Sequence, residues 1–443
     1  MVHIPAGSSR LPLDDGLDEL DEAWLRSKPG AKWARAGAGV IPSWIADMDF
    51  PTPRPVRDAL VALAEGGDLG YSSGTDTALL EEKWAARMAT RYGWAPDGGH
   101  FRLFCDVVQA VQAAVDVTTS PGDGILLLTP SYPPLWRAIE DSGRRLLAVP
   151  ALEAEAGWPF DLDLAEEQAG RAKLLLLANP HNPTGRVLSR LELLRLGDLV
   201  ERHNLLVVAD EVHADLVLTG GPHIPFASLS GDLAGRTVTL YSASKSYNLG
   251  GMRCAVAYIG PAEVERRLAS FPSELFGRVS VAALVSTLAS WTKPGDEWLD
   301  RCLARLRANR DIIAQWLTGA GAEAGVHGSP SEGTYLQWLD FRPAGLSDDP
   351  AAWLLEHAKV MMGSGPHFGP GGPGFARLNF ATTPAVLEEV LSRVHGAITG
   401  AEPNTAEPNT AEPNTAEPNT AEPSTTAGTT PTVGTSRVRT STQ

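Results

Sequence analysis

The run TVTLYSASKSYNLGG, residues 237–251, carries Lys245 four positions after Tyr241 and admits two incompatible readings. In one, the two residues form the Tyr-x-x-x-Lys pair of a nicotinamide-dependent reductase, with the lysine lowering the pKa of a tyrosine acid. In the other, the lysine itself is the reactive group. The reductase needs both residues on one helix, because positions i and i+4 share a helical face. Here a strand-like apolar run leads into Tyr241, and Asn-Leu-Gly-Gly after Lys245 disfavours a helix. A reductase also needs a glycine-rich turn after an early strand, where the backbone approaches a pyrophosphate. The first 50 residues hold no G-x-x-x-G-x-G run. The reductase reading fails, and Lys245 is the candidate reactive group.

Outward from this stretch, short apolar runs recur at GILLLTP (124–130), KLLLLANP (173–180), NLLVVADE (204–211), TVTLYSAS (237–244) and CAVAYIG (254–260). Each is bounded by Gly, Pro, Asp or Asn, as buried parallel strands are. Helical patterns such as VVQAVQAAVDVTT (107–119) and LSRLELLRLGDLVERH (188–203) lie between them. Strands alternating with helices predict an α/β fold, a mostly parallel sheet with helices on both faces. WLDRCLARLRANRDIIAQWLTGA reads as a long amphipathic helix leading into a smaller C-terminal domain. The expected division is an N-terminal segment 1–45 packing with the small domain, a large domain 46–289, a small domain 290–398 and a tail 399–443. The AEPNT repeats of the tail lack large apolar residues, so it is expected to be disordered and without a catalytic role.

The net charge of −16 argues against a nucleic-acid partner or an acidic membrane surface. Cys105, Cys254 and Cys302 lie far apart with no C-x-x-C spacing, which suits a reducing cytoplasm and excludes a disulfide framework. No metal site is read. No apolar run reaches the ~18 residues of a membrane span, and MVHIPAGSSRLPLDDG has no signal-peptide pattern. A cytoplasmic protein is expected.

A lysine that forms an imine must be reachable and often neutral. Its natural aldehyde partner is pyridoxal 5′-phosphate, which needs its phosphate, ring nitrogen and ring face held. Asp210 closes the run LLVVAD, at the strand end where α/β proteins bind ligands, and would keep the ring nitrogen protonated. A helix-capping aspartate is the alternative reading. The chain enters a helix near Val107 and Val108, whose free N–H groups and positive helix end suit a phosphate. Ser242 and Arg253 flank Lys245 and would add a hydroxyl and a guanidinium. In ANPHNPTGR (178–186) the Asn-Pro pairs force a turn, from which Asn182 would donate to the ring's 3-oxygen.

The segments NPHNPTG, ADEVH, SASKSYNLGG and RLNFAT (377–382) occur in an order that resembles the fold-type I aminotransferase superfamily over residues ~35–398. WIADMDFPTP (44–53) and DEVHADLV (210–217) resemble its MalY/PatB branch, the cystathionine β-lyase-like C–S lyases. The resemblance implies a fold-type I enzyme, a homodimer sharing its active sites, with Lys245 holding pyridoxal 5′-phosphate and then acting as general base. It further implies that Tyr132 of SYPPLW stacks on the ring and His213 stands near the ring oxygen. Tyr71 of LGYSSG is implied to reach the neighbouring subunit's phosphate, and Arg377 to clamp the α-carboxylate of an amino-acid substrate. Trp44 and Tyr335 are candidates for the pocket wall, with packing as the alternative. Two features depart from the pattern: Asp106, an acid beside the phosphate loop, expected to turn away and cap the helix, and FATTP after Arg377. The implied reaction is β-elimination from cystathionine or a cysteine S-conjugate. Transamination between an amino acid and a 2-oxo acid is the alternative, and a regulatory protein that keeps the fold is a third reading.

Overall fold

All five apolar runs become strands of one sheet in the computed structural model, which describes residues 17, 18, 20, 22–152, 157–272 and 275–400. In chain order the strands are β1 (Ile41–Ser43), β2 (His100–Phe104), β3 (Gly124–Thr129), β4 (Arg145–Pro150), β5 (Ala172–Ala178) and β6 (Leu206–Asp210). They continue as β7 (Thr237–Tyr241), β8 (Ala255–Ile259), β9 (Leu336–Asp340), β10 (Val360–Ser364) and β11 (Phe375–Asn379). The large sheet has the order β2-β8-β7-β6-β5-β3-β4. Strands β4, β3, β5, β6 and β7 are parallel neighbours. The side chains of β3, β5, β6 and β7 are almost all buried, on both faces, which explains the unbroken Leu and Val runs.

CAVAYIG departs from expectation. As β8 it runs antiparallel to β7 and to β2. The link from β7 holds only the four-residue helix Ala243–Ser246 and the single turn Gly250–Met252. A parallel return needs a longer crossover, usually a helix. The short helix also corrects the expectation of none at Lys245, but Tyr241 remains on the strand before it.

A second sheet, β1-β10-β11-β9, gathers the C-terminal strands and borrows β1 from the N-terminal part of the chain. Ile41–Ser43 pairs in parallel with Val360–Met362. The helix Lys293–Thr318 buries Leu299, Cys302, Leu303, Leu306 and Ile313 along one stripe. The AEPNT tail, apart from residues 399 and 400, lies outside the described residues. Among the described residues no helix is long and apolar enough to cross a membrane, and no cluster of His, Cys, Asp and Glu is suited to a metal ion.

The parallel strands deliver their carboxyl ends to one edge, where a ligand crevice forms in such sheets. Asp210 ends β6, Tyr241 precedes Ser242 and Lys245, Ala178 precedes the Asn182 turn, and Thr129 precedes Tyr132. Behind the lysine helix a buried polar cluster fixes its position. The Arg87 guanidinium donates to Asp215 Oδ1 (2.8 Å), Tyr241 Oη (2.8 Å) and Tyr247 Oη (2.9 Å). Ser246, next to Lys245, donates to Asp215 Oδ2 at 2.9 Å. The Tyr241 hydroxyl donates to the same carboxylate, and burial holds its pKa far above the ordinary phenol value. Tyr241 therefore serves this cluster and supplies no acid beside Lys245.

Candidate active site

Ten of the thirteen residues singled out in the sequence line one cleft of about 330 Å³. Tyr71, Trp44 and Tyr335 do not. Tyr71 is 98% exposed and lines a separate groove. The Trp44 indole turns away, donating to the Lys32 carbonyl at 3.3 Å, while its own carbonyl accepts from Arg377 at 2.6 Å. Tyr335 is fully buried and donates to the Ala46 carbonyl at 2.8 Å. Both are wall supports rather than wall surface.

Lys245 Nζ donates to that same Ala46 carbonyl at 2.9 Å. Burial lowers the pKa of its amine, opposed by the charge of Asp47, while Arg377 lowers it further and Asp210 opposes. Burial likewise pushes the Asp210 carboxyl up to about 6, against the Val212 N–H, which Asp210 Oδ1 accepts at 3.1 Å, and against Lys245. His213 is held well below its ordinary value by burial, then by the charges of Lys245 and Arg377, so its ring is neutral.

Arg377 comes from β11 in the second sheet. One terminal nitrogen donates to Asn182 Oδ1 at 2.9 Å and the other to the Trp44 carbonyl, while Phe368 covers the guanidinium face at 4.8 Å. Its buried Nε has no partner, and neither has His213 Nδ1. Burial brings Arg377 down to about 10, against the Tyr132 and Tyr335 hydroxyls. The bond from Arg377 settles the Asn182 amide: its oxygen accepts, so its nitrogen is left to donate.

At the other end, the helix Val107–Thr118 points its start into the cleft. Asp106 caps it as expected, Oδ1 accepting the Gln109 N–H at 2.7 Å. Its second oxygen has not turned away, however, and forms an ion pair with Arg253. The hydroxyl of Ser242 donates to the Cys254 carbonyl at 2.6 Å and accepts from Ser244 N–H. Two of the expected anion donors are thus engaged within the protein. The N–H groups of Val107 and Val108 have no acceptor among the described residues.

The cleft therefore combines a desolvated amine, a buried carboxyl, a buried guanidinium with an orphaned N–H, and a helix start with free N–H groups. Sequence reasoning missed Asp47, Ala46 and Phe368. Asp47 lay in a motif noted only for its resemblance, and the other two act through a main-chain oxygen and a ring face, which residue type does not signal.

The model of the aminotransferase class I and II family matches residues 45–394. The chain is 34% identical over 380 residues to cystathionine beta-lyase PatB of Bacillus subtilis (strain 168), covering 83% of this chain and 96% of that protein. It overlays the crystal structure of OvoB with a TM-score of 0.81 and 36% identity, covering 87% of this chain and 99% of the other. Cystalysin of Treponema denticola, whose structure contains a pyridoxal 5′-phosphate cofactor, overlays with a TM-score of 0.79 and 29% identity, covering 85% and 97%.

Proposed function

Because the chain belongs to the class I and II aminotransferase family, we propose that it is a pyridoxal 5′-phosphate-dependent C–S β-lyase, releasing thiol, pyruvate and ammonia from cystathionine or a cysteine S-conjugate. The observation that carries this is the desolvated Lys245 amine in a cleft with Asp210 on one side and Arg377 on the other. The relatives named as a cystathionine β-lyase and as cystalysin support it.

The cleft residues fit the cofactor. The free N–H groups of Val107 and Val108 suit the phosphate, joined by Arg253 and Ser242 on rearrangement. Asp210, with only one oxygen engaged, would hold the ring nitrogen, Asn182 and the orphaned His213 Nδ1 would meet the ring oxygen, and Tyr132 would stack on the ring. When bound, the cofactor supplies a sink for the electron pair left at the substrate α-carbon.

Lys245 would hold the cofactor through its amine and, with that amine free, is the base that takes the α-proton on Nζ. Burial suits it to that role by favouring the neutral amine. Arg377 holds the α-carboxylate and so orients the α-hydrogen toward Lys245. Its other contacts, to Asn182 and Trp44, keep the guanidinium from following the substrate. With the proton on Nζ, the β-carbon–sulfur bond breaks and sulfur leaves as thiolate, to be protonated. Water completes the products. The protein is further proposed to act as a homodimer, with Tyr71 completing the partner's phosphate site.

The test is to incubate the holoenzyme with cystathionine and S-alkylcysteines and follow pyruvate and free thiol, then to offer an amino acid with a 2-oxo acid. The expected result is thiol and pyruvate in equal amounts without an acceptor, and loss of both in Lys245→Ala. Acceptor-dependent transfer without thiol release would establish the aminotransferase instead.

A further inference from the structure

One charged group at the cleft has no counterpart in this reaction. Asp47 lines it beside Ile45 and Ala46. The main chain there is held tightly. The Asp47 N–H donates to the Ile45 carbonyl at 2.9 Å, and its carbonyl accepts from Asn379 Nδ2 at 2.7 Å and Lys32 Nζ at 3.3 Å. Asn248 pins the next residue, accepting the Met48 N–H and donating to the Met48 carbonyl, both at 3.0 Å. Yet neither carboxylate oxygen of Asp47 has a hydrogen-bond or ion-pair partner among the described residues. Of the cations nearby, Lys32 pairs with Asp49 Oδ1 at 3.0 Å, and Lys28 donates to the Asp49 carbonyl at 2.9 Å, its ammonium favoured first by the charge of Asp49 and then by that of Asp47.

Asp47 also lines a second cavity of about 140 Å³, which shares Gly250 and Gly251 with the cleft. A Cβ on Gly250 would lie 3.5 Å from Asp47 Oδ1, and one on Gly251 would meet nothing within 4 Å. Asp47 and the two glycines line both cavities, so the carboxylate stands where the two meet.

In the proposed reaction Arg377 meets the α-carboxylate, Asp210 the ring nitrogen, and Arg253 is already opposed by Asp106. Asp47 is the acid left over, on a rigid mount, where the cleft adjoins the second cavity. We propose that Asp47 binds a cation at the far end of the substrate's sulfur substituent, so that the favoured substrates are cysteine S-conjugates ending in an amine or similar cation. This rests on the lyase reading for its chemistry but not for its recognition. A fixed carboxylate meeting a desolvated ammonium discriminates strongly against an uncharged isostere. The rival partner for Asp47 is the Lys245 ammonium, on which it acts more strongly than any other acid.

The experiment compares S-(2-aminoethyl)cysteine with S-propylcysteine, equal in length and differing in the terminal ammonium. In parallel, lysine and 2-aminoheptanoate, their sulfur-free analogues, are titrated against the absorbance of the bound cofactor. In the wild-type holoenzyme the cationic member is expected to lead by about tenfold or more in kcat/KM and in affinity, and Asp47→Asn to bring both ratios close to one. No preference in the wild type, or a loss in Asp47→Asn that is equal for both members, overturns the assignment, the second in favour of Lys245 as partner. If neither thioether yields pyruvate while lysine keeps its Asp47-dependent advantage, the lyase reading falls and the assignment stands.

Discussion

Asp210 is an acid whose charge is unfavourable until a cation faces it. Burial is the main cause of its raised pKa, about 6 against 3.8, with the Val212 N–H and Lys245 opposing. A folded-state value above the unfolded one means that the folded protein binds the proton more tightly. The ionised form therefore destabilises the cofactor-free protein fully above pH 6, and the penalty disappears as pH falls toward 4, an upper bound of about 3 kcal/mol. Asp210→Asn keeps the shape without the charge. The cofactor-free variant should melt above wild type at pH 8, with the gap closing by pH 4, while its affinity for pyridoxal phosphate at pH 8 falls at least tenfold. A gap that does not change with pH would remove burial as the cause. Asp210 was readable in the sequence because an acid ending an apolar strand is conspicuous. Asp47 was not, because Ala-Asp-Met-Asp in a connecting segment shows neither a period nor which acid faces the cleft. Only the fold separates it from Asp49, whose Oδ1 accepts from the Trp33 indole at 2.6 Å.

At the level of elements, the start of the helix Val107–Thr118 holds two functions in one side chain. Asp106 caps the helix through one oxygen and pairs with Arg253 through the other. Serine caps as well as aspartate does, but carries no charge. Asp106→Ser should therefore change stability by no more than about 1 kcal/mol while releasing Arg253 and removing an anion from the phosphate's surroundings. Pyridoxal phosphate is expected to bind severalfold tighter, read by absorbance titration, with the unfolding midpoint in denaturant nearly unchanged. Weaker binding would show that Asp106 is needed to aim Arg253. The long helices and central strands were legible because burial on one stripe or both faces writes a period into the chain. The strands β2 and β4 were not, since both lie at sheet edges with partly exposed residues that break up the apolar run. The Arg87 cluster was equally invisible. Its partners Asp215 and Tyr247 stand 128 and 160 residues away, and nothing local distinguishes Arg87 from any helical arginine.

For the whole molecule the informative residue is Tyr71, whose ring stands almost entirely in solvent beside Leu69, itself 68% exposed. They border a groove of about 830 Å³ walled by Phe101, Leu103, Val279 and Leu284, which shares Cys105 with the lining of the cleft. Large apolar side chains presented to water in this way are stabilised by covering them, and a second copy of the chain would do so with two-fold symmetry. If Tyr71 of one subunit completes the phosphate site of the other, each active site is built from two chains, and two different defects can complement. Tyr71→Ala and Lys245→Ala should each be nearly inactive alone. Co-expressed, they form mixed dimers in which one site inherits both defects and the other inherits neither. With random pairing half of the dimers are mixed and half of their sites are intact, so roughly a quarter of wild-type turnover should return. Sedimentation of the wild type as a monomer, or mixed dimers without recovered activity, would show that each chain works alone and that the exposure of Tyr71 has another explanation.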